Sequence, residues 1–117
     1  MRAHENLEVW KKAVDFVVLV YKCTEKFPAD ERFGLVSQLH RAAVSIPSNI
    51  AEGAARNFQK EKLHFLSIAQ GSTSEVETQL VISQRLDYIA SNELDDLMAR
   101  AAELGRMMYG WARHLRS

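Results

Sequence analysis

The 117 residues predict an all-α protein, an antiparallel up-down-up-down four-helix bundle occupying 1–117 as a single domain. Three observations carry that expectation. Only five glycines and two prolines punctuate the chain, too few for a many-stranded β architecture. Apolar residues recur at spacings of three and four over long stretches, the signature of amphipathic helices. The connections between those stretches are short, which favours antiparallel neighbours.

The first helix is expected over about 7–26. It ends at Phe27-Pro28, because the residue before a proline disfavours the α region. Pro28-Ala29-Asp30 makes a turn into a second helix over about 31–56. Pro47 lies inside that helix, but Leu35, Leu39, Ala42, Ile46 and Ile50 keep their spacing across it, so a kinked, continuous helix is expected. Asn57 and Phe58 connect to a third helix over about 59–90. Ser91-Asn92 then turns into a fourth over about 93–115, with Asn92 as its cap and Glu93, Asp95 and Asp96 at its positive end. Arg113, His114 and Arg116 suit its negative end.

The first helix is more apolar than an outer helix of a monomeric bundle requires. Residues 16–21 (Phe-Val-Val-Leu-Val-Tyr) surround it with apolar side chains, and a helix hydrophobic all round is buried all round. Packing against a second copy explains this, with Phe16 and Leu19 as candidate interface residues. Met107, Met108, Tyr109 and Trp111 point the same way.

Fifteen basic and fifteen acidic side chains cancel, so net charge favours neither nucleic acid nor membrane. The charges are nevertheless unevenly spread. Basic residues lead over 32–62 and from Arg100 onward, and carboxylates dominate 75–96. The single cysteine, Cys23, excludes an intrachain disulfide and suits a reducing compartment. No secretory signal opens the chain, and the longest apolar run is far short of the ~20 residues that span a bilayer. A cytoplasmic protein with no membrane partner is expected.

Gln38, Arg41, Ser45, Asn49, Glu52 and Arg56 follow at spacings of three and four and form one polar line on the second helix. Facing it on the third helix is Gln70-Gly71-Ser72-Thr73-Ser74-Glu75. Close approach of the two backbones would let Arg41, Glu52 and Glu75 build an interior hydrogen-bonded ion network, a device that serves packing specificity more than catalysis. A di-metal carboxylate bundle needs two Glu-x-x-His pairs. Only Glu61-Lys62-Leu63-His64 has that spacing. Cys23 has no histidine near it in sequence, and no glycine loop for phosphate is present. The sequence therefore predicts no catalytic residue, no metal and no cofactor.

The stretch Phe27-Pro28-x-x-Glu31, Gly34-Leu35, Gln38-Leu39-x-Arg41-Ala42-Ala43-x-Ser45-Ile46-Pro47-x-Asn49-Ile50-Ala51-Glu52-Gly53 resembles the four-helix-bundle proteins encoded in intervening sequences of bacterial 23S ribosomal RNA genes. Leu7-x-Val9-Trp10-x-Lys12-Ala13 and Phe65-Leu66-x-Ile68-Ala69-x-Gly71-Ser72-x-x-Glu75-x-Glu77 extend the resemblance over about 7–89. That family is similar to the accessory variability protein of diversity-generating retroelements. The resemblance implies a left-handed bundle assembled as a homopentamer, with RNA or a reverse transcriptase as partner. Candidate RNA contacts are Arg56, Lys60 and Lys62 at the turn between helices two and three, together with Arg41. Arg113 and Arg116 beside Trp111 form a second candidate patch. The alternative is a protein-interaction scaffold that binds no nucleic acid.

Overall fold

A computed structural model describes residues 2–117. Among them are four α-helices and no strand: α1 (Glu8–Thr24), α2 (Leu35–Ala55), α3 (Gln59–Arg85) and α4 (Ser91–Arg116), with short 3-10 turns at Ala3–Asn6 and Ala29–Glu31. The particle measures 44 × 23 × 22 Å, a bundle lying along its helices. α1 packs on α2 and α4, α3 packs on the same two, and α2 with α3 form the closest pair. Lys12 pairs with Glu103 and Lys26 with Glu93, so α1 and α4 run antiparallel. Arg41 opposite Glu75 and Ser45 opposite Ser72 show the same for α2 and α3.

Each helix gives one apolar line to a common core. Phe16, Leu39, Ile46, Ile50, Leu66, Leu80, Leu104 and Met108 are all fully buried there. Each such side chain is worth about 1.5–3 kcal/mol of burial. α2 passes through Pro47 without a break, as its apolar spacing predicts, and Pro47 itself is buried.

Four helix ends depart from the sequence expectation: α1 ends at Thr24 rather than 26, and the other three each have a local reason. α2 begins at Leu35 rather than 31, because 29–31 form a 3-10 turn. Leu35 donates its backbone N–H to Glu31 Oε1 at 3.3 Å, so the Glu31 side chain caps the helix from outside it. A Cβ at Gly34 would stand 2.8 Å from that same oxygen, and glycine is what leaves room for the cap. α3 ends at Arg85 rather than near 90. Tyr88 N–H reaches Ser83 O and Asp87 N–H reaches Gln84 O, both at 2.9 Å, with Asp87 in the left-handed region at φ 62°. This is a Schellman closure with aspartate in the place glycine usually takes. α4 begins at Ser91, and Glu93 accepts the backbone N–H of Ala90 at 3.3 Å; Asn92 lies inside the helix and is not its cap.

Glu31 also joins the two loops at this end of the bundle. Its second oxygen accepts the Tyr88 hydroxyl at 2.8 Å, and the Tyr88 ring packs on Phe27. Donation to that carboxylate pushes the Tyr88 phenol above its ordinary value.

Candidate nucleic-acid interface

The polar line of α2 does face α3, but it divides into two parts. Ser45 and Ser72 share a 2.8 Å hydroxyl bond, and Asn49 Nδ2 donates to Ser45 Oγ and Ser45 O at 3.0 and 2.8 Å. That uncharged part is half-buried to buried. Arg41 donates to Gln38 Oε1 at 2.8 Å and lies 3.6 Å from Glu75, with both charged side chains largely exposed. Glu52 turns away to pair with Arg56 at 2.8 Å on the surface. The interior ion network expected of Arg41, Glu52 and Glu75 is therefore a surface arrangement. Water is the better solvent for the charges, and between the helices the sheltered part of the line is joined by the Ser45–Ser72 bond, with Asn49 bonded to Ser45 from its own helix.

At the end of α2 the two backbones come closest. A Cβ on Gly53 would meet Lys62 O at 3.3 Å and Phe65 Cβ at 3.4 Å. Lys62 folds back over this contact, its ammonium donating to Ala54 O at 3.2 Å and Gly53 O at 3.4 Å. It thereby satisfies carbonyls at the negative end of α2. Of the three basic residues expected at this turn, Lys62 is thus engaged by the fold. Arg56 and Lys60 are exposed.

Arg56 and Lys60 line an open cavity of about 420 Å³ together with Glu61, His64 and Phe65. The Arg56 guanidinium sits 4.9 Å from the centre of the Phe65 ring, and the His64 ring meets Phe65 edge-on at 5.3 Å. Phe58, immediately before α3, is 68% exposed. Glu61 and Phe65, four apart, share one side of α3, and Phe58 is the extended residue that precedes the helix. From sequence, Phe58 reads only as part of a connection and His64 only as half of a Glu-x-x-His pair. The available signal was an aromatic placed in an interhelical turn, where nothing in a bundle core requires one.

The second patch lies at the same end, since α4 returns antiparallel to α1 and finishes there. Arg113 and Arg116 are exposed, but Trp111 is half-buried against the core and is not a free stacking surface. Charge is thus sorted along the axis. The N-terminal turn, the α2–α3 turn and the end of α4 bring together Arg2, Arg56, Lys60, Arg113 and Arg116, with three of the four histidines (His4, His64, His114) and with Glu5, Glu52 and Glu61 among them. The opposite end carries Glu25, Asp30, Asp87, Asp95 and Asp96 beside Lys26, Arg32 and Arg85, so the excess is basic at one end and acidic at the other.

Phe16 is 1% exposed, inside the chain's own core, and so is not available to an interface. Leu19 is half-buried beside α4. Periodicity explains the difference: Phe16 shares the inward line with Ala13, Val20 and Cys23. The outward apolar residues of α1 and α2 are Val18, Tyr21 and Val44, each more than 40% exposed. On α2, Ser37, His40, Val44, Ser48, Ala51 and Ala55 continue this face without a charge. Tyr21 stacks on His40 at 3.7 Å. Thr24 donates its hydroxyl to Tyr21 O at 2.9 Å, so at the 2.8 Å contact His40 Nε2 must be the donor to Thr24.

Among the described residues no group of three or more His, Cys, Asp or Glu is placed to hold a metal ion, and no helix is long and apolar enough to cross a membrane. Glu61 and His64 stand in the 420 Å³ cavity, without other ligands. Cys23 is buried at a 230 Å³ groove between α1 and α4, and burial pushes its thiol above its ordinary value.

The model of the 23S rRNA-intervening sequence proteins matches residues 5–110. No curated protein matches the chain. The crystal structure of a protein of unknown function from the S23 ribosomal protein family of Bacteroides thetaiotaomicron superimposes with a TM-score of 0.80 at 22% identity, over 89% of this chain and 97% of that one. At that identity the likeness concerns the fold.

Proposed function

The chain belongs to the 23S rRNA-intervening sequence protein family, and from that premise we propose that it is a non-enzymatic, self-associating helical bundle that binds RNA. The observation that carries the RNA reading is the sorting of charge. A neutral chain gathers Arg56, Lys60, Arg113 and Arg116 at one end of the bundle. Self-association is supported by the uncharged α1–α2 face around Val18, Tyr21 and Val44. A fivefold ring, implied by family resemblance, would repeat the basic end five times on one side. The cell's RNA, or a reverse transcriptase carrying it, is the expected partner.

The test is binding of the purified protein to the transcript of its own locus as salt is varied. Contacts to phosphates of a single strand give a log–log slope of about −0.7 each. Failure to bind at low salt would remove the RNA reading. The same exposed apolar face then favours a scaffold that engages another polypeptide.

A further inference from the structure

We infer that the α2–α3 turn receives an unpaired nucleotide of an RNA strand, with the exposed Phe58 of that turn as its stacking surface and Arg56 and Lys60 of the cavity as its phosphate contacts. This deepens the RNA-binding reading above and rests on it. At about 420 Å³ the cavity lies in the range of small-ligand sites. Its lining joins two kinds of chemistry that a nucleotide combines. Arg56 and Lys60 supply cationic donors for a phosphate and Phe65 an apolar ring, while the 68% exposed Phe58, outside that lining, stands between Arg56 and Lys60 in the turn. An exposed phenylalanine gains nothing for the bundle core, but a base with a free face can lie on it.

Glu61 narrows the ligand further. Its carboxylate repels a bare phosphate lodged in the cavity, yet it can accept the exocyclic amino group of a base. A base within a duplex hides both faces in the stack, so an aromatic platform selects single strands, loops and ends. Lys62 is excluded from the site because its ammonium is spent on the carbonyls of Gly53 and Ala54.

The experiment measures fluorescence anisotropy of a labelled 16-nucleotide RNA, alone and annealed to its complement, with the full chain and three variants. The single strand is expected to bind at least ten-fold more tightly than the duplex. Phe58→Ala should weaken single-strand binding about ten-fold, the value of one base–aromatic stack, and Phe58→Trp should restore it. Lys60→Ala should weaken both RNAs and flatten the salt dependence. The exposure of Phe58 lets Phe58→Ala fold, and an unchanged urea midpoint verifies this. Tight single-strand binding that Phe58→Ala leaves untouched overturns the assignment of the site while RNA binding stands. Duplex binding as tight as the single strand overturns it as well. A wild-type protein that binds neither RNA overturns the RNA reading itself.

Discussion

Replacing Gly53 by leucine probes the contact that seats the candidate site. Even one carbon on Gly53 would stand 3.3 Å from a backbone oxygen of Lys62 and 3.4 Å from Phe65 Cβ, at or inside ordinary van der Waals separation. Helix propensity favours a larger residue by about 0.8–1 kcal/mol over glycine, so alanine sets a gain of that size against a mild clash. Leucine adds three further carbons where α2 and α3 already touch, and such overpacking costs about 1–3 kcal/mol. It also disturbs the bonds from Lys62 to Gly53 O and Ala54 O. Gly71 supplies the control, because nothing lies within 4 Å of a Cβ built there. Gly71→Ala should therefore stabilise by about 0.8–1 kcal/mol. With a urea slope of roughly 2 kcal/mol/M, a 2 kcal/mol loss in Gly53→Leu moves the midpoint down by about 1 M. Gly71→Ala moves it up by roughly half that. A Gly53→Leu protein at least as stable as the parent would refute the close approach of α2 and α3.

Val18→Asp with Val44→Asp should keep the helical circular dichroism and yield monomers by light scattering, because both positions lie on the exposed uncharged face. Burial pushes the His40 imidazole below its ordinary value, so the unfolded chain takes up that proton first as pH falls. The resulting stability is fully present above about pH 6.5 and is lost as pH drops through the folded value; His40→Gln should show a smaller loss of urea midpoint between pH 7.5 and 5. Ser72→Ala should cost about 1 kcal/mol by leaving the half-buried Ser45 hydroxyl without its partner across the helices, and a urea midpoint equal to that of the parent would contradict it. Lys60→Glu and Arg32→Glu change net charge equally but at opposite ends of the bundle, so only Lys60→Glu should weaken RNA binding in a filter assay.

The bundle was legible because its signal is periodic. The apolar line of α2, with Leu39, Ala42, Ile46 and Ile50 buried, and the passage of that helix through Pro47 follow from spacing alone. The helix ends were not, because each depends on a side chain or backbone turn from elsewhere. Glu31 caps α2 from a separate turn, and Asp87 closes α3 in a conformation usually left to glycine. The interface residues divide in the same way. Six consecutive apolar residues show that α1 has more than one apolar face, but only the direction of each line separates buried Phe16 from exposed Val18. The basic cluster at the α2–α3 turn was visible as composition. That Lys62 is spent on carbonyls of α2 depends on a contact between helices. The residues that carry the family resemblance have a physical reading too. Glu31, Gly34, Ser45, Asn49 and Gly53 cap a helix or fit α2 against α3, so the family's most recognisable stretch chiefly builds the fold.

Neutrality says less about the ligand than it first suggests. At physiological salt a charge is felt over about 8 Å, whereas the bundle is 44 Å long. A phosphate at the α2–α3 turn responds to Arg56 and Lys60 and is screened from Asp87 and Asp95 at the far end. Local pairing matters more than the total: Glu52 holds Arg56 at 2.8 Å and shares its charge, while Lys60 enters no ion pair among the described residues. Rotational symmetry would add to this sorting. In a closed ring with its axis along the helices, every basic end faces the same side. Patches too small to hold RNA singly would then act on one strand together, as linked sites do when their spacing lets both engage. The same symmetry would gather the carboxylates on the other side, so such a ring would offer RNA one side only.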